Sequence, residues 1–158
     1  MRTFTFGLAA TAVVLLSCNA MAAAAAWHVE TLPDSALANV QGCQETFGAA
    51  GPHAADTLFY NDGTGTVGAP GMIKLGGKVY QLKLVSSKVN GKEMADESGP
   101  GTKYDQIYKD KTGAVVVTTA VKVTKENPDA DSTEMAGSLS VSFGGTTQKV
   151  AIEGGVAC

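Results

Sequence analysis

Apolar and polar positions alternate along much of this chain with a period of two residues, the spacing of a half-buried strand and not of a helix. From Val79 to Val85 the pattern is cleanest: Tyr80, Leu82 and Leu84 fall on one side, and Gln81, Lys83 and Val85 on the other. The run from Ala114 to Lys125 is the richest in β-branched residues, with Val115, Val117, Thr119, Val121 and Val123 on a shared face. Met135 to Phe143 places Leu139, Val141 and Phe143 inward against outward Ser138, Ser140 and Ser142, and Thr146 to Glu153 points Val150 and Ile152 inward. Shorter segments at Thr57 to Tyr60, Thr64 to Val67, Met72 to Leu75 and Tyr104 to Lys109 fit the same reading.

Turn residues separate these runs at the spacing of a meander. Asn61-Asp62-Gly63 tolerates positive φ, Gly76-Gly77 and Gly144-Gly145 suit two-residue hairpins, and Asp110-Lys111-Thr112-Gly113 joins two further strands. The expected fold is all-β: one small antiparallel barrel or sandwich of about seven or eight strands, curled to hide its edges. The pattern leaves barrel against sandwich open. It divides the chain into an N-terminal segment, 1–26, a preamble, 27–55, and the β domain proper, 56–158. In the preamble Trp27 to Leu32 suits an edge strand, Pro33 to Val40 a short helical turn, and Gln44 to Ala55 a loop. The longest irregular stretch is Ser86 to Lys103, and a long loop on a rigid sheet is where binding function usually sits.

Residues 1–26 change this picture by adding a compartment. Arg2 followed by an apolar run from Phe4 to Ser17 has the form of an export signal, too short and alanine-rich for a permanent span. Leu15-Leu16-Ser17-Cys18 resembles a bacterial lipobox, whose cysteine is acylated, whereas Ala20-Met21-Ala22 fits an ordinary small-x-small cleavage site. The first alternative makes the protein an outer-membrane lipoprotein and the second a free periplasmic one. Either process consumes Cys18 and leaves Cys43 and Cys158, an even pair that predicts one disulfide closing nearly the whole domain.

Charge narrows the partners. The chain holds 12 basic and 15 acidic residues for a net charge of −3, and loss of Arg2 makes the balance more acidic. Such a balance argues against nucleic acid and against an anionic membrane surface, leaving the membrane reachable only through a lipid anchor. It is compatible with a basic protein partner.

Candidate chemistry is sparse. Gly63-Thr64-Gly65-Thr66-Val67-Gly68 spells GxGxxG, but Ala69-Pro70-Gly71 follows where a dinucleotide site needs a helix N-terminus, so a turn is expected and no cofactor. The acids Glu126, Asp129, Asp131 and Glu134 lack the ligand pattern of a calcium loop and read as a solvated hairpin tip, with no metal expected. His28 and His53 lie apart from any cysteine or carboxylate cluster at ligand spacing, Asp56 near His53 is a weak pair, and no GxSxG occurs. A non-enzymatic binding role is the expectation.

Within the long stretch, Gln81-Leu82-Lys83 precedes Ser98-Gly99-Pro100-Gly101-Thr102-Lys103-Tyr104, and a short strand through Ile107 and Tyr108 follows. With the export signal, the lipobox-like cysteine and the late Cys158, this resembles the exported lysozyme-inhibitor families, including immunity proteins against lysozyme-like effectors. Those proteins carry a Ser-Gly-x-x-Tyr loop that enters the lysozyme cleft. The resemblance implies partner-binding roles for Ser98, Gly99, Gly101, Lys103 and Tyr104 against a basic lysozyme-like protein. Two departures from the motif are visible: Pro100 replaces its serine if Gly101 is aligned, and two extra residues precede Tyr104 if Ser98-Gly99 is aligned. Two rival expectations come from the β pattern itself, a small-ligand carrier with a lined barrel mouth and a structural component of the envelope or surface.

Overall fold

In the computed structural model, which describes residues 27–52, 55–93 and 98–158, the β-branched run forms the longest strand. Its Val115, Val117, Thr119, Val121 and Val123 are all buried. Among the described residues ten strands lie in one sheet: β1 (Val29–Glu30), β2 (Gln44–Ala49), β3 (Phe59–Asn61), β4 (Pro70–Leu75), β5 (Lys78–Val89), β6 (Lys92–Glu93), β7 (Lys103–Asp110), β8 (Val115–Asn127), β9 (Ser132–Phe143) and β10 (Thr146–Ala157). A single turn of helix, α1 (Asp34–Leu37), lies between β1 and β2. The export segment with Cys18, and His53, lie outside the described residues.

Eight of these strands close an antiparallel barrel. Apart from the short β6, each strand from β2 onward pairs with the next, and β10 returns to pair with β2. The architecture is therefore an up-and-down barrel, one of the two forms the alternation allowed, and closure removes the exposed edges a sandwich would keep. β1 lies beside β4 beyond the end of β3, pairing Val29 with Leu75. On the outer wall, α1 and its flanks cover Tyr60 and Met72, with Leu32 buried against them.

Four segments differ from expectation. Gln44 to Ala49, expected as loop, is β2 and seals the barrel between β3 and β10, so the domain begins well before residue 56. β5 continues to Val89, and Asn90 and Gly91 turn it into β6, so the long irregular stretch loses its first half. Thr64 to Val67 forms no strand. β10 extends to Ala157, since it has a partner on each side, β9 and β2.

The two ends of the barrel are built differently. At one end Trp27 is buried, its indole Nε1 donating to the Phe143 carbonyl at 3.0 Å and to Thr146 Oγ1 at 2.8 Å, while its own carbonyl accepts from Gln148 Nε2. Its ring meets Phe143 edge-on at 5.9 Å. This plugs the barrel above a core of Phe47, Phe59, Ile73, Leu82, Leu84, Leu139 and Ile152. Among the described residues, no comparable side chain lies across the opposite end.

Tight curvature near the seam depends on glycine. A Cβ at Gly154 would sit 1.9 Å from the Thr46 carbonyl oxygen, and one at Gly137 2.1 Å from that of Ala120, so only a hydrogen allows these strands to approach. Cys43 and Cys158 are joined by a disulfide, as the cysteine count predicts, with Cα atoms 4.1 Å apart and a sequence separation of 115. It fastens the start of β2 to the end of β10. In the chain-entropy model a loop of this size is worth roughly 4 to 5 kcal/mol. The Cys43→Ala, Cys158→Ala double variant is expected to lose stability of about that order in urea melts, with amide exchange accelerated first along β2 and β10. Unchanged stability would show that the seam holds without its staple.

Candidate functional site

The open end encloses a cavity of about 750 Å³. Its wall comes from the mouth-proximal ends of the strands: Glu45 of β2, Ser87 and Val89 of β5, Tyr104 and Gln106 of β7, Val123 of β8, Thr133 and Met135 of β9, and Val156 of β10. The loop from Gly63 to Val67 and the pair Ser98 and Gly99 complete the rim.

Two β-bulges decide which side chains reach it. Strict alternation after Leu84 would turn Ser87 and Val89 outward. The register shift between Leu84 and Ser86 extrudes Val85 to solvent instead and reverses the parity, so both face the cavity. A second shift between Val123 and Lys125 does the same for Glu126, which leaves the expected solvated tip to stand on the rim.

The loop over the mouth is held by local hydrogen bonds. Asn61 Oδ1 accepts from the Gly63 amide at 2.8 Å, and Asp62 Oδ1 accepts from the Thr64 amide and hydroxyl. The Gly68 amide donates to the Leu84 carbonyl at 2.8 Å, returning the chain to the barrel. The GxGxxG stretch is thus a turn, as expected, but it roofs a cavity. Its Val67 is the most exposed large apolar side chain among the described residues, at 68%.

Glu45 is the unusual residue of the site. It is only 5% exposed, paired in register with Asn61 on one side and Val156 on the other, and it lines the cavity. Burial pushes its carboxyl up from 4.5 to about 7; the nearby Asn61 amide opposes the rise and the charge of Asp62 adds to it. The Asn61 side chain is bonded only through its oxygen, and its buried Nδ2 completes no hydrogen bond. Beside this pair, the Tyr108 hydroxyl donates to Gln106 Oε1 at 3.0 Å. Burial raises the Tyr108 hydroxyl above its ordinary value, with Glu45 and Asp62 contributing. Burial also raises the Tyr104 hydroxyl above its ordinary value, with the charges of Glu45 and Glu126 adding to the rise.

The residues singled out in the sequence are distributed as follows. Ser98, Gly99 and Tyr104 gather at the mouth, where Tyr104 is half-buried with its ring in the cavity wall. Gly101 and Lys103 are exposed and do not line it. The described part of this segment is pinned down: the Gly101 amide donates to the Val123 carbonyl, the Val123 amide to the Thr102 carbonyl, and the Lys103 amide to Asn90 Oδ1. His28 is exposed beside Glu30, near the plugged end. Asp129 and Asp131 stay on the exposed β8–β9 connection, and Glu134 pairs with Lys125 at 3.1 Å. Glu45, Asn61 and Gln106 were not singled out; the only signal was an acid two residues from an aromatic in a segment poor in other strand character.

The buried acid makes stability depend on pH. Between 4.5 and about 7 the folded chain keeps a proton that the unfolded chain has released. The group therefore costs nothing below pH 4.5 and destabilises increasingly as pH rises through 7, to about 3 kcal/mol. Relative to the parent, Glu45→Gln is expected to gain stability by an amount approaching that figure between urea melts at pH 5 and pH 8. Parallel pH profiles for parent and variant would contradict the assignment. No protein-family model matches the chain, and no curated protein and no solved structure matches it.

Proposed function

We propose that this chain is a non-catalytic binding protein that captures a small, largely apolar molecule in the open mouth of its barrel. The observation that carries this reading is the cavity of about 750 Å³ above a packed core, open at one end of a barrel whose other end is plugged by Trp27. Ligand cavities generally fall between about 300 and 1,000 Å³ and combine apolar walls with a few polar groups that fix orientation. Here Val89, Val123, Met135 and Val156 supply the wall, and Glu45 and Gln106 the polar groups. With residues 1–26 read as an export signal, capture takes place outside the cytoplasm, in the periplasm or on an envelope membrane.

The neutral dye N-phenyl-1-naphthylamine tests this directly. Its fluorescence is expected to rise on binding, with Ser87→Trp, which places an indole in the cavity from a half-buried position on β5, weakening binding about tenfold or more without lowering the melting temperature of the apo protein. No binding, or equal binding by Ser87→Trp, would overturn the cavity reading.

A second reading, inhibition of a lysozyme-like muramidase, is favoured by one specific feature. Ser98, Gly99 and Tyr104, which carry the sequence resemblance, meet at a single rim with Lys103 exposed beside them. It ranks second because the Tyr104 ring is half-buried in the cavity wall and the 98–103 turn is bonded to its neighbours. Turnover assays on several lysozyme classes decide it: inhibition that Tyr104→Ala and Lys103→Ala weaken would promote this reading, and no inhibition of any class would remove it.

A further inference from the structure

We infer that the mouth is built for an organic cation, a molecule with an apolar body and an amine or quaternary ammonium seated between Glu45 at the floor and Glu126 at the rim. This rests on the cavity reading above and names its ligand class.

The charges lining the cavity have one sign. Among the described residues that line it, Glu45 and Glu126 are the only ionisable acids and there is no lysine, arginine or histidine. Lysines are not scarce in the barrel. Lys83, Lys88, Lys103, Lys109 and Lys122 are exposed on β5, β7 and β8, the same strands that supply Ser87, Tyr104 and Val123 to the cavity. On these strands the lysines point outward and none of them lines the cavity, whereas Glu126 of β8 and Glu45 of β2 do. Asp62, in the loop roofing the mouth, adds a third negative group near Glu45.

The floor is chemically incomplete without a cation. A lone carboxylate taken out of water is costly unless a positive charge or several donors compensate it. Glu45 has only the neighbouring Asn61 amide, whose Nδ2 is buried and unpartnered. An ammonium group at the floor would hold Glu45 in its charged form, and that carboxylate has acceptor capacity for both the ligand and Asn61 Nδ2. A neutral ligand supplies no such charge, and an anionic ligand would face two acids. The Tyr104 ring, which lines the same cavity as Glu45 and Glu126, offers a face on which a cation is attracted to the ring quadrupole. The apolar residues Val89, Val123, Met135 and Val156 then cover the body of the molecule.

A charge series on one skeleton tests the inference: 4-phenylbutylamine, 4-phenylbutanol and 4-phenylbutyrate, measured by calorimetry and by displacement of the neutral dye. The amine is expected to bind about tenfold or more tightly than the alcohol, and the carboxylate more weakly than either. Glu45→Gln should bring the amine to the level of the alcohol, read as the ratio of the two affinities in the same variant. Because a floor variant can disturb folding, Glu126→Gln at the exposed rim serves as a second probe, expected to reduce the amine preference about threefold. Equal binding of all three compounds, or an amine preference that survives both substitutions, would overturn the cation inference while dye binding still upheld the cavity. Failure of the dye and of all three compounds would overturn both.

Discussion

Closure of β10 onto β2 is the constraint on which the other features depend. Until that ladder forms, the chain is an open meander with two raw edges, and neither edge strand has a complete set of hydrogen bonds. The ladder runs from Ile152 opposite Ala49 to Ala157 opposite Gln44, and the disulfide continues it by one residue at the mouth. Closure is also what builds the site, because it sets Glu45 beside Val156 and brings β9, with Thr133 and Met135, within reach of β2. The pairing joins residues more than a hundred positions apart, the kind of non-local contact that forms late because its loop entropy must be overcome first. Stability of the fold and integrity of the mouth are therefore coupled through one seam.

The fold was legible where alternation was strict and local. Val79 to Val85, Ala114 to Lys125 and Met135 to Phe143 carry their buried faces in the order of their side chains, and the hairpins between them announce themselves in glycine and aspartate. The site was far less legible. β2 reads Gln-Glu-Thr-Phe-Gly-Ala, with one aromatic and no aliphatic residue larger than alanine, and it is a strand because β3 and β10 supply ladders on both sides. No local propensity reports such long-range pairing. The bulges at Val85 and Thr124 are equally silent in sequence, yet each reverses parity and decides that Ser87, Val89 and Glu126 face inward. The paired cysteines were readable from parity because a covalent count needs no geometry.

Glu45 shows how a fold tolerates a buried acid it would be more stable without. The carboxyl sits where its neighbours Phe47 and Phe59 are fully buried, and the ladder denies it the freedom to swing out to solvent. Its cost is moderated by protonation below about pH 7 and by an opening to the cavity, not by a salt bridge. Asn61, the other polar residue of the pair, divides its amide: the oxygen is used to hold the Gly63 turn, and the nitrogen is left over. A purely structural solution would place two apolar residues here, since replacing buried polar groups by well-packed apolar ones is commonly neutral or stabilising. Concentrating an acid, an unpartnered amide and a positive-φ turn at one point is the pattern expected of a site held at some cost in stability.

The asymmetry of the two ends follows from how many side chains each must bury. At the plugged end, Trp27 enters from outside the ring of barrel strands and fills the space above Phe143, and its indole and carbonyl find partners on the β9–β10 hairpin. At the mouth, the described segments beside the opening are short and polar: a glycine-rich turn at 63–68 and the Ser98-Gly99 pair, neither of which carries an aromatic ring. An eight-stranded barrel is wide enough to need filling along its length, either by its own side chains or by one small ligand. Here the sequence spends most of its aromatics on the core and the plug, and among the described residues it leaves valines, a methionine, Tyr104 and two acids around the opening. Space at that end is thus built into the choice of residues around it.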